Sequence, residues 1–207
     1  MKNLLTILFL VTALSISAQN RYADGMETAM QLWGEQQTSA ASNQFERIAL
    51  ADDDNWLPYY YVAMVNTAAS FGEKNENLLT RQLEKAKEFN DIAKSLSLEN
   101  PELLVMEAMI NTAWIAFDGA TYGQALSGKN NQLYQKALQL APDNPRAVLA
   151  KAEWDIGSAQ YFGKDTTPYC KDVERAMELF ETFENETPFY PNWGKDRAEQ
   201  VLKQCAD

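Results

Sequence analysis

The stretch Gln135-Lys-Ala-Leu-Gln-Leu-Ala-Pro-Asp-Asn-Pro-Arg146 combines the end of one helix, a tight turn and the start of the next helix. Apolar residues at helical spacing precede Pro142. Asn144 can cap the second helix, and Pro145 falls in its first turn, where a missing N–H is harmless. Because so short a turn joins antiparallel neighbours, the stretch predicts the joint of a stacked helix-pair repeat.

The same helix start occurs three times in the chain. An asparagine followed within three residues by proline stands at Asn55, Asn100 and Asn144. Eight residues after each asparagine lies an alanine that would let two helices approach closely, at Ala63, Ala108 and Ala152. The segments that begin at the first two alanines, Ala63-Met-Val-Asn-Thr-Ala68 and Ala108-Met-Ile-Asn-Thr-Ala113, are nearly identical. These matches indicate an internal repeat of 44 to 45 residues.

The remainder of the chain has the same helical character. Apolar residues recur at helical spacing, and no segment shows the sustained alternation of a strand. Breaks rich in Gly, Pro, Asn and Asp divide the chain into eight or nine predicted helices. The glycine-containing segment from Gly119 to Gly128 lacks the order of a phosphate-binding loop and is predicted to be a loop between helices. The sequence therefore predicts an all-α protein.

The N-terminus has the pattern of a secretory signal peptide. Lys2 precedes an apolar run from Leu4 to Ile16, which ends at the small residues Ser17 and Ala18. The run is shorter than the roughly 20 residues that a membrane-spanning helix needs. We expect residues 1–18 to be a signal peptide that is cleaved, with the cut after Ser17 or Ala18, and the protein to be periplasmic or secreted without a membrane span.

Composition excludes several classes of function. The formal net charge of −11 disfavours nucleic acids and anionic membrane surfaces and favours a basic or neutral partner. Histidine is absent from all 207 residues, which removes Ser-His-Asp and Cys-His catalysis and histidine-bound zinc. We therefore predict no enzyme activity, no cofactor and no metal.

The two cysteines, Cys170 and Cys205, are too far apart in sequence for a CxxC redox motif. In an exported protein a disulfide is the natural expectation. The two positions are symmetric about residue 188, so an antiparallel hairpin of the last two helices would bring them together. The bond would close the open end of this hairpin, and the final helix would cap the stack.

The segment Tyr134-Gln-Lys-Ala-Leu-Gln-Leu-Ala-Pro-Asp-Asn144 resembles the second helix and turn of the tetratricopeptide repeat (TPR) family, with Ala137 at the small packing position. Weaker copies run from Phe45 to Asn55 and from Ile92 to Pro101. The resemblance implies a right-handed stack of antiparallel helix pairs with a C-terminal capping helix. It also implies a non-catalytic scaffold that binds a protein or peptide along its concave face. The repeat domain, 19–207, divides into approximate units 20–54, 55–99, 100–143 and 144–207.

The chain also departs from the family. Its repeat is longer than the usual 34 residues, and Asn66, Asn111 and Asp155 form a polar ladder where the family often has an aromatic residue. No family residues that bind a ligand carry over. The ladder could bind a peptide backbone, or each side chain could be satisfied by a neighbouring helix, as buried polar groups normally are.

Aromatic residues in or just after the first helices are the other candidates for partner binding, and we choose Tyr60, Trp114 and Trp154. The wider set is Trp56, Tyr59, Tyr60, Tyr61, Trp114, Phe117, Trp154, Tyr161 and Phe162. Aromatic side chains dominate binding hot spots, but they also fill helical cores. Three consecutive tyrosines, Tyr59 to Tyr61, cannot all face inward on one helix, so we expect at least one to reach a groove or the surface. The alternative function is an envelope enzyme or a binder of small molecules or carbohydrates, with an acidic and aromatic pocket between helices. The oligomeric state stays open.

Overall fold

The computed structural model describes residues 21–185 and 187–205, so the predicted signal peptide lies outside the described residues. Helices account for most of this part of the chain, and no strand occurs in it. The prediction of an all-α fold is confirmed. The helices are α1 (residues 21–34), α2 (Thr38–Ala51), α3 (Trp56–Ser70), α4 (Glu76–Leu96), α5 (Pro101–Phe117), α6 (Gly119–Leu140), α7 (Pro145–Tyr161), α8 (Thr167–Thr182) and α9 (Lys195–Cys205).

The helices pack as successive antiparallel pairs. Extensive contacts join α3 with α4, α5 with α6, and α7 with α8, and α2 packs on α3 to a similar extent. The first helices of these pairs, α3, α5 and α7, also contact one another in order, while α4 contacts α5 and α6 contacts α7. The three first helices therefore form a parallel row, with all their N-terminal ends along one edge of the stack and all their C-terminal ends along the other. Helix α9 packs on α8.

The repeated asparagines cap the three first helices as predicted. The side-chain oxygen of Asn55 accepts from a backbone N–H of the first turn of α3 at 3.1 Å. Asn100 does the same for α5 at 3.0 Å, and Asn144 for α7 at 3.0 and 3.2 Å. The alanines eight residues further on are completely buried, at Ala63, Ala108 and Ala152. The local signals of the repeat thus specify both the start and the packing of each first helix.

The prediction of a loop between Gly119 and Gly128 is wrong, because this segment is the first half of α6. Each glycine in a helix costs about 1 kcal/mol of stability relative to alanine. Two contacts with α5 and the residue that follows it stabilise α6 and offset part of that cost. Asp118 caps the helix by accepting from the Thr121 N–H at 3.1 Å. Further along α6, the Asn130 side chain donates to the carbonyl oxygen of Ala108, at 3.2 Å.

The expectation that one of three tyrosines would reach the surface is also wrong. Tyr59, Tyr60 and Tyr61 are 5%, 0% and 3% exposed. Helix α3 is covered on several sides: the Tyr59 ring packs against Phe89 of α4, and the Tyr61 ring stacks on Phe45 of α2. A third element, described below, covers Tyr60.

The disulfide is present as predicted and joins Cys170 to Cys205 with their Cα atoms 6.0 Å apart. It links the first turn of α8 to the last residue of α9, across the open end of the C-terminal hairpin. Between residues 21 and 185 and in 187–205, no helix has both the length and the hydropathy that a membrane crossing requires.

Candidate functional site

Two residues of the polar ladder are used inside the protein. The Asn66 side-chain nitrogen donates to the Ser42 hydroxyl oxygen and to the carbonyl oxygen of Val62, both at 2.8 Å. The Asn111 side-chain nitrogen donates to the side-chain oxygen of Asn130 at 2.9 Å. Asn66 and Asn111 are 9% and 8% exposed. This arrangement matches the alternative interpretation, in which a neighbouring helix satisfies a buried polar group.

The remaining candidates on α5 and α7 are less buried. Asp155 forms an ion pair with a lysine one turn earlier in α7. Trp154 Nε1 donates to the side-chain oxygen of Asn131 on α6 at 2.9 Å. The Trp114 ring lies against Tyr122 with centroids 4.9 Å apart. Each side chain thus contacts its own helix or α6, and the candidates do not converge on one site.

Replacing Asn111 with alanine is expected to lower the free energy of unfolding by about 2 kcal/mol, because the Asn130 oxygen would lose its buried donor. Urea denaturation measures this. As a control on α6, Gln132→Ala removes an exposed side chain and should change stability by less than about 0.5 kcal/mol. An Asn111→Ala variant as stable as the unaltered protein would contradict the packing role and favour a ligand-binding role.

Residues 187–194, which we call the C-terminal strap, lie against α3. The Tyr61 hydroxyl donates to the carbonyl oxygen of Phe189 at 2.9 Å. Trp193 Nε1 donates to the hydroxyl oxygen of Tyr60 at 2.6 Å. Both tyrosines belong to the first half of α3. The strap is therefore the element that buries Tyr60, one of the predicted partner-binding residues.

A buried ion pair connects the strap with α5 and α7. Arg146 donates to Glu102 through Nη2 at 2.7 Å and through Nε at 2.9 and 3.0 Å, and the two side chains are 1% and 0% exposed. The same carboxylate accepts from Asn144 Nδ2 at 2.6 Å and from the Tyr190 hydroxyl at 3.3 Å. The Arg146 Cζ atom lies 4.8 Å from the ring centroid of Phe183 and 5.4 Å from that of Tyr190.

Electrostatics fix the charge states of Arg146 and Tyr190 in this cluster. Burial disfavours the charge on Arg146, but the hydrogen bonds and the negative charge of Glu102 raise the pKa of Arg146 above its ordinary value. Burial, and then the charge of Glu102, raise the pKa of Tyr190 to about 12. At neutral pH neither Arg146 nor Tyr190 titrates. The cluster therefore joins α5, α7 and the strap at the edge of the stack where the first helices begin, which we call the N-terminal edge.

The opposite edge of the stack carries exposed aromatic residues. Phe71 follows the last residue of α3, Phe117 ends α5, and Tyr161 and Phe162 stand at the end of α7. Phe71, Tyr161 and Phe162 are 45%, 77% and 69% exposed. We call these four residues the aromatic edge. Because the first helices are parallel neighbours, their aromatic ends lie along the same side of the molecule.

A cavity of about 400 Å³ opens at the aromatic edge between the ends of α3 and α5. Its lining is mostly apolar, with charged side chains only from the α3–α4 turn. Gly72, at φ +84°, makes this turn possible, because residues with a side chain rarely adopt that backbone conformation. The lining residues are Ser70, Phe71, Gly72, Glu73, Lys74, Leu79, Ala113, Ala116 and Phe117.

A second cavity, of about 470 Å³, lies beside the strap and includes Phe183 and Tyr190 in its lining. Both rings already contact the Arg146 guanidinium. Neither cavity is a metal centre, since no cluster of three or more potential metal-ligating side chains occurs in the described part of the chain. The aromatic edge is therefore the better candidate for a ligand site.

Phe117, Tyr161 and Phe162 belong to the wider set of aromatic residues considered for recognition, but none of the four aromatic-edge residues is among the predicted site residues, although the repeat marks their position. Phe71 lies 16 residues after Asn55, Phe117 lies 17 after Asn100, and Tyr161 lies 17 after Asn144. An aromatic residue thus recurs at nearly the same repeat position. Extending the repeat comparison to the ends of the first helices would have identified it.

No family model matches the sequence, and no curated protein matches it either. The TPR resemblance therefore stays a prediction at the level of the family. Among solved structures, the fold is similar to that of the HusA haemophore from Porphyromonas gingivalis, with a TM-score of 0.78 and 22% sequence identity. The match covers 89% of this chain and 92% of the haemophore chain, so the two share one helical fold over nearly their full lengths.

Proposed function

We propose that this chain is an exported, non-catalytic binding protein for a flat aromatic small molecule of the haem or porphyrin class, which binds at the aromatic edge. The observation that carries the proposal is the nearly full-length likeness to a haemophore, together with a cavity beside exposed rings. The disulfide accords with an exported protein. This function is closer to the small-molecule alternative than to the peptide scaffold.

The dimensions and chemistry of the cavity suit such a ligand. Its volume of about 400 Å³ lies within the range of small-molecule sites, roughly 300 to 1,000 Å³. Phe71 and Phe117 offer two rings for contact with a planar molecule, and Leu79 and Ala113 supply an apolar floor that is 1% and 2% exposed. Aromatic rings stack favourably in offset or edge-to-face geometry. Affinity would therefore come mainly from burial of the ligand's ring.

The residues that line the cavity do not offer haem iron its usual protein ligands. The chain has no histidine, and both cysteines are in the disulfide. The cavity lining contains neither methionine nor tyrosine. A haem bound here would be cargo held by its ring and its substituents. Coordination of the iron by His, Cys, Met or Tyr side chains of the cavity would not add to the affinity.

Part of the predicted peptide-binding site is already covered by the strap. The strap contacts Tyr60 and Tyr61 at the N-terminal edge of the stack, so a partner peptide would have to displace it there. Within residues 21–185 and 187–205, no such segment covers Phe71, Tyr161 or Phe162, all of which are exposed. The difference between the two edges supports placing a small-molecule site at the aromatic edge.

Haem and iron-free protoporphyrin IX are therefore expected to bind the protein with affinities within a few-fold of each other. Titration followed by porphyrin absorbance and by quenching of tryptophan fluorescence measures both. Strong binding of haem with no detectable binding of protoporphyrin would contradict the iron-independent mode. Absence of saturable binding for both compounds would contradict the proposed function.

The same titrations locate the site. Phe71→Ala and Phe117→Ala should each weaken porphyrin binding about tenfold, which corresponds to the burial energy of part of one aromatic ring. Leu98→Ala is the matched control, because Leu98 is an exposed apolar residue, 81% accessible, in the turn before α5 at the other edge of the stack. An unchanged affinity in both phenylalanine variants would exclude this cavity.

A further inference from the structure

Among the described residues that line the aromatic-edge cavity, Lys74 is the one cation. Among the described residues, no carboxylate lies within 4.0 Å of its ammonium group, whereas Lys85, Lys94, Lys129 and Lys195 all form ion pairs. An exposed lysine without a partner is ordinary on a surface. At the mouth of an apolar cavity, however, a lysine without a partner can favour ligands that carry a negative charge.

Glu73, the acidic neighbour of Lys74, also lines the cavity, but one of its carboxylate oxygens is engaged by the turn. The Glu73 carboxylate accepts from the backbone N–H groups of Lys74 and Asn75, at 2.8 and 2.7 Å. Its oxygen is thereby held toward the turn. Glu76 is the next acid, and it does not line the cavity.

The start of α4 adds a positive pole on the same side. This helix begins at Glu76, two residues after Lys74, and runs for 21 residues. The N-terminal end of a helix carries a partial positive charge that falls off within about one turn. The apolar floor and the lysine thus border one opening, and the start of α4 follows next along the chain. Together they favour an apolar molecule that carries a negative group at its rim.

We propose that Lys74 holds a carboxylate of the ligand, so that the cavity selects flat apolar anions over neutral molecules of the same shape. The inference rests on the proposed function and names the class of molecule that the site accepts. The chain as a whole carries a formal charge of −11, which repels anions at long range. Recognition of an anion therefore depends on a local cation, and Lys74 is the one present.

Protoporphyrin IX and its dimethyl ester test the proposal, because the ester keeps the ring and neutralises both carboxylates. With the full exported chain in one detergent-containing buffer, the free acid should bind about tenfold more tightly than the ester, as expected for one partly exposed charge-assisted hydrogen bond. Lys74→Met should lower the affinity for the free acid to that for the ester. Lys74→Arg should retain the preference.

Lys136→Met is the matched control, because Lys136 is exposed near the C-terminal end of α6, at the other edge of the stack. It should leave both affinities unchanged. Equal binding of acid and ester by the unaltered protein, or an unchanged preference in Lys74→Met, would overturn the role of Lys74 while the proposed function stands. Binding of neither compound would overturn the proposed function itself.

Discussion

Replacing Arg146 with alanine is expected to lower the free energy of unfolding by about 3 to 5 kcal/mol. The loss arises because Glu102, which is 1% exposed, would keep a buried negative charge without its partner. The three hydrogen bonds from the guanidinium to the carboxylate would also disappear. Contacts between Arg146 and the rings of Phe183 and Tyr190 would be lost as well. Urea or thermal denaturation measures the change.

A double variant separates the charge from the packing. Removing one partner of a buried pair is costly, whereas replacing both with apolar residues of similar volume is often close to neutral. We therefore expect Arg146→Met combined with Glu102→Leu to recover most of the stability that Arg146→Ala loses. A single Arg146→Ala variant that loses less than about 1 kcal/mol would contradict the importance of the ion pair.

The Arg146→Ala variant should also loosen the strap, because Tyr190 and Phe183 pack on the guanidinium. Limited proteolysis should then cut first between residues 183 and 194. Asp143 provides a comparison: its ion pair with Arg175 is exposed on both sides, so Asp143→Ala should change stability by less than about 1 kcal/mol. Cleavage elsewhere in the stack before the strap would contradict this link.

The parts of the fold that the sequence predicted are those that depend on local signals. Asn55, Asn100 and Asn144 cap helices through backbone groups two or three residues away, and the alanines eight residues on pack between neighbouring helices. Such features repeat because each helix pair presents the same packing problem. A pattern of this kind is visible in a single sequence.

The strap could not be predicted in the same way. Its contacts join residues that are very distant in sequence, 128 positions for Tyr61 with Phe189 and 133 for Tyr60 with Trp193. No periodicity marks where an irregular segment will lie. The burial of the three tyrosines in α3 depends partly on the strap. The expectation that one of them would be exposed is wrong because the position of the strap could not be predicted.

The candidate site was only partly visible. The polar ladder was found because Asn66 and Asn111 break a pattern of apolar residues, and their contacts on α2 and α6 match the packing alternative already considered. The aromatic edge could not be singled out from the other aromatic residues, because its residues stand at helix ends, where helical periodicity stops. Lys74 carries no sequence signal, since its significance depends on the cavity beside it.

Loss of the Cys170–Cys205 disulfide is expected to lower the free energy of unfolding by about 3 to 4 kcal/mol. The bond closes a loop with a sequence separation of 35 residues, and the estimate follows from the chain entropy that such a loop removes from the unfolded state. The loop contains most of α8, all of the strap and nearly all of α9. Without the bond, α9 would be held by packing of residues such as Ala198 and Val201 and by the ion pairs that Lys195 and Arg197 make with α8 and α7.

Urea denaturation with and without a thiol reductant measures this loss, and the double variant Cys170→Ala and Cys205→Ala supplies the control. The variant should be less stable than the oxidised protein, and reductant should not affect it. Because the strap lies inside the closed loop, reduction should also make residues 187–194 more susceptible to proteolysis. An unfolding midpoint that is the same in the oxidised and reduced protein would show that packing of α9 alone holds the C-terminal hairpin.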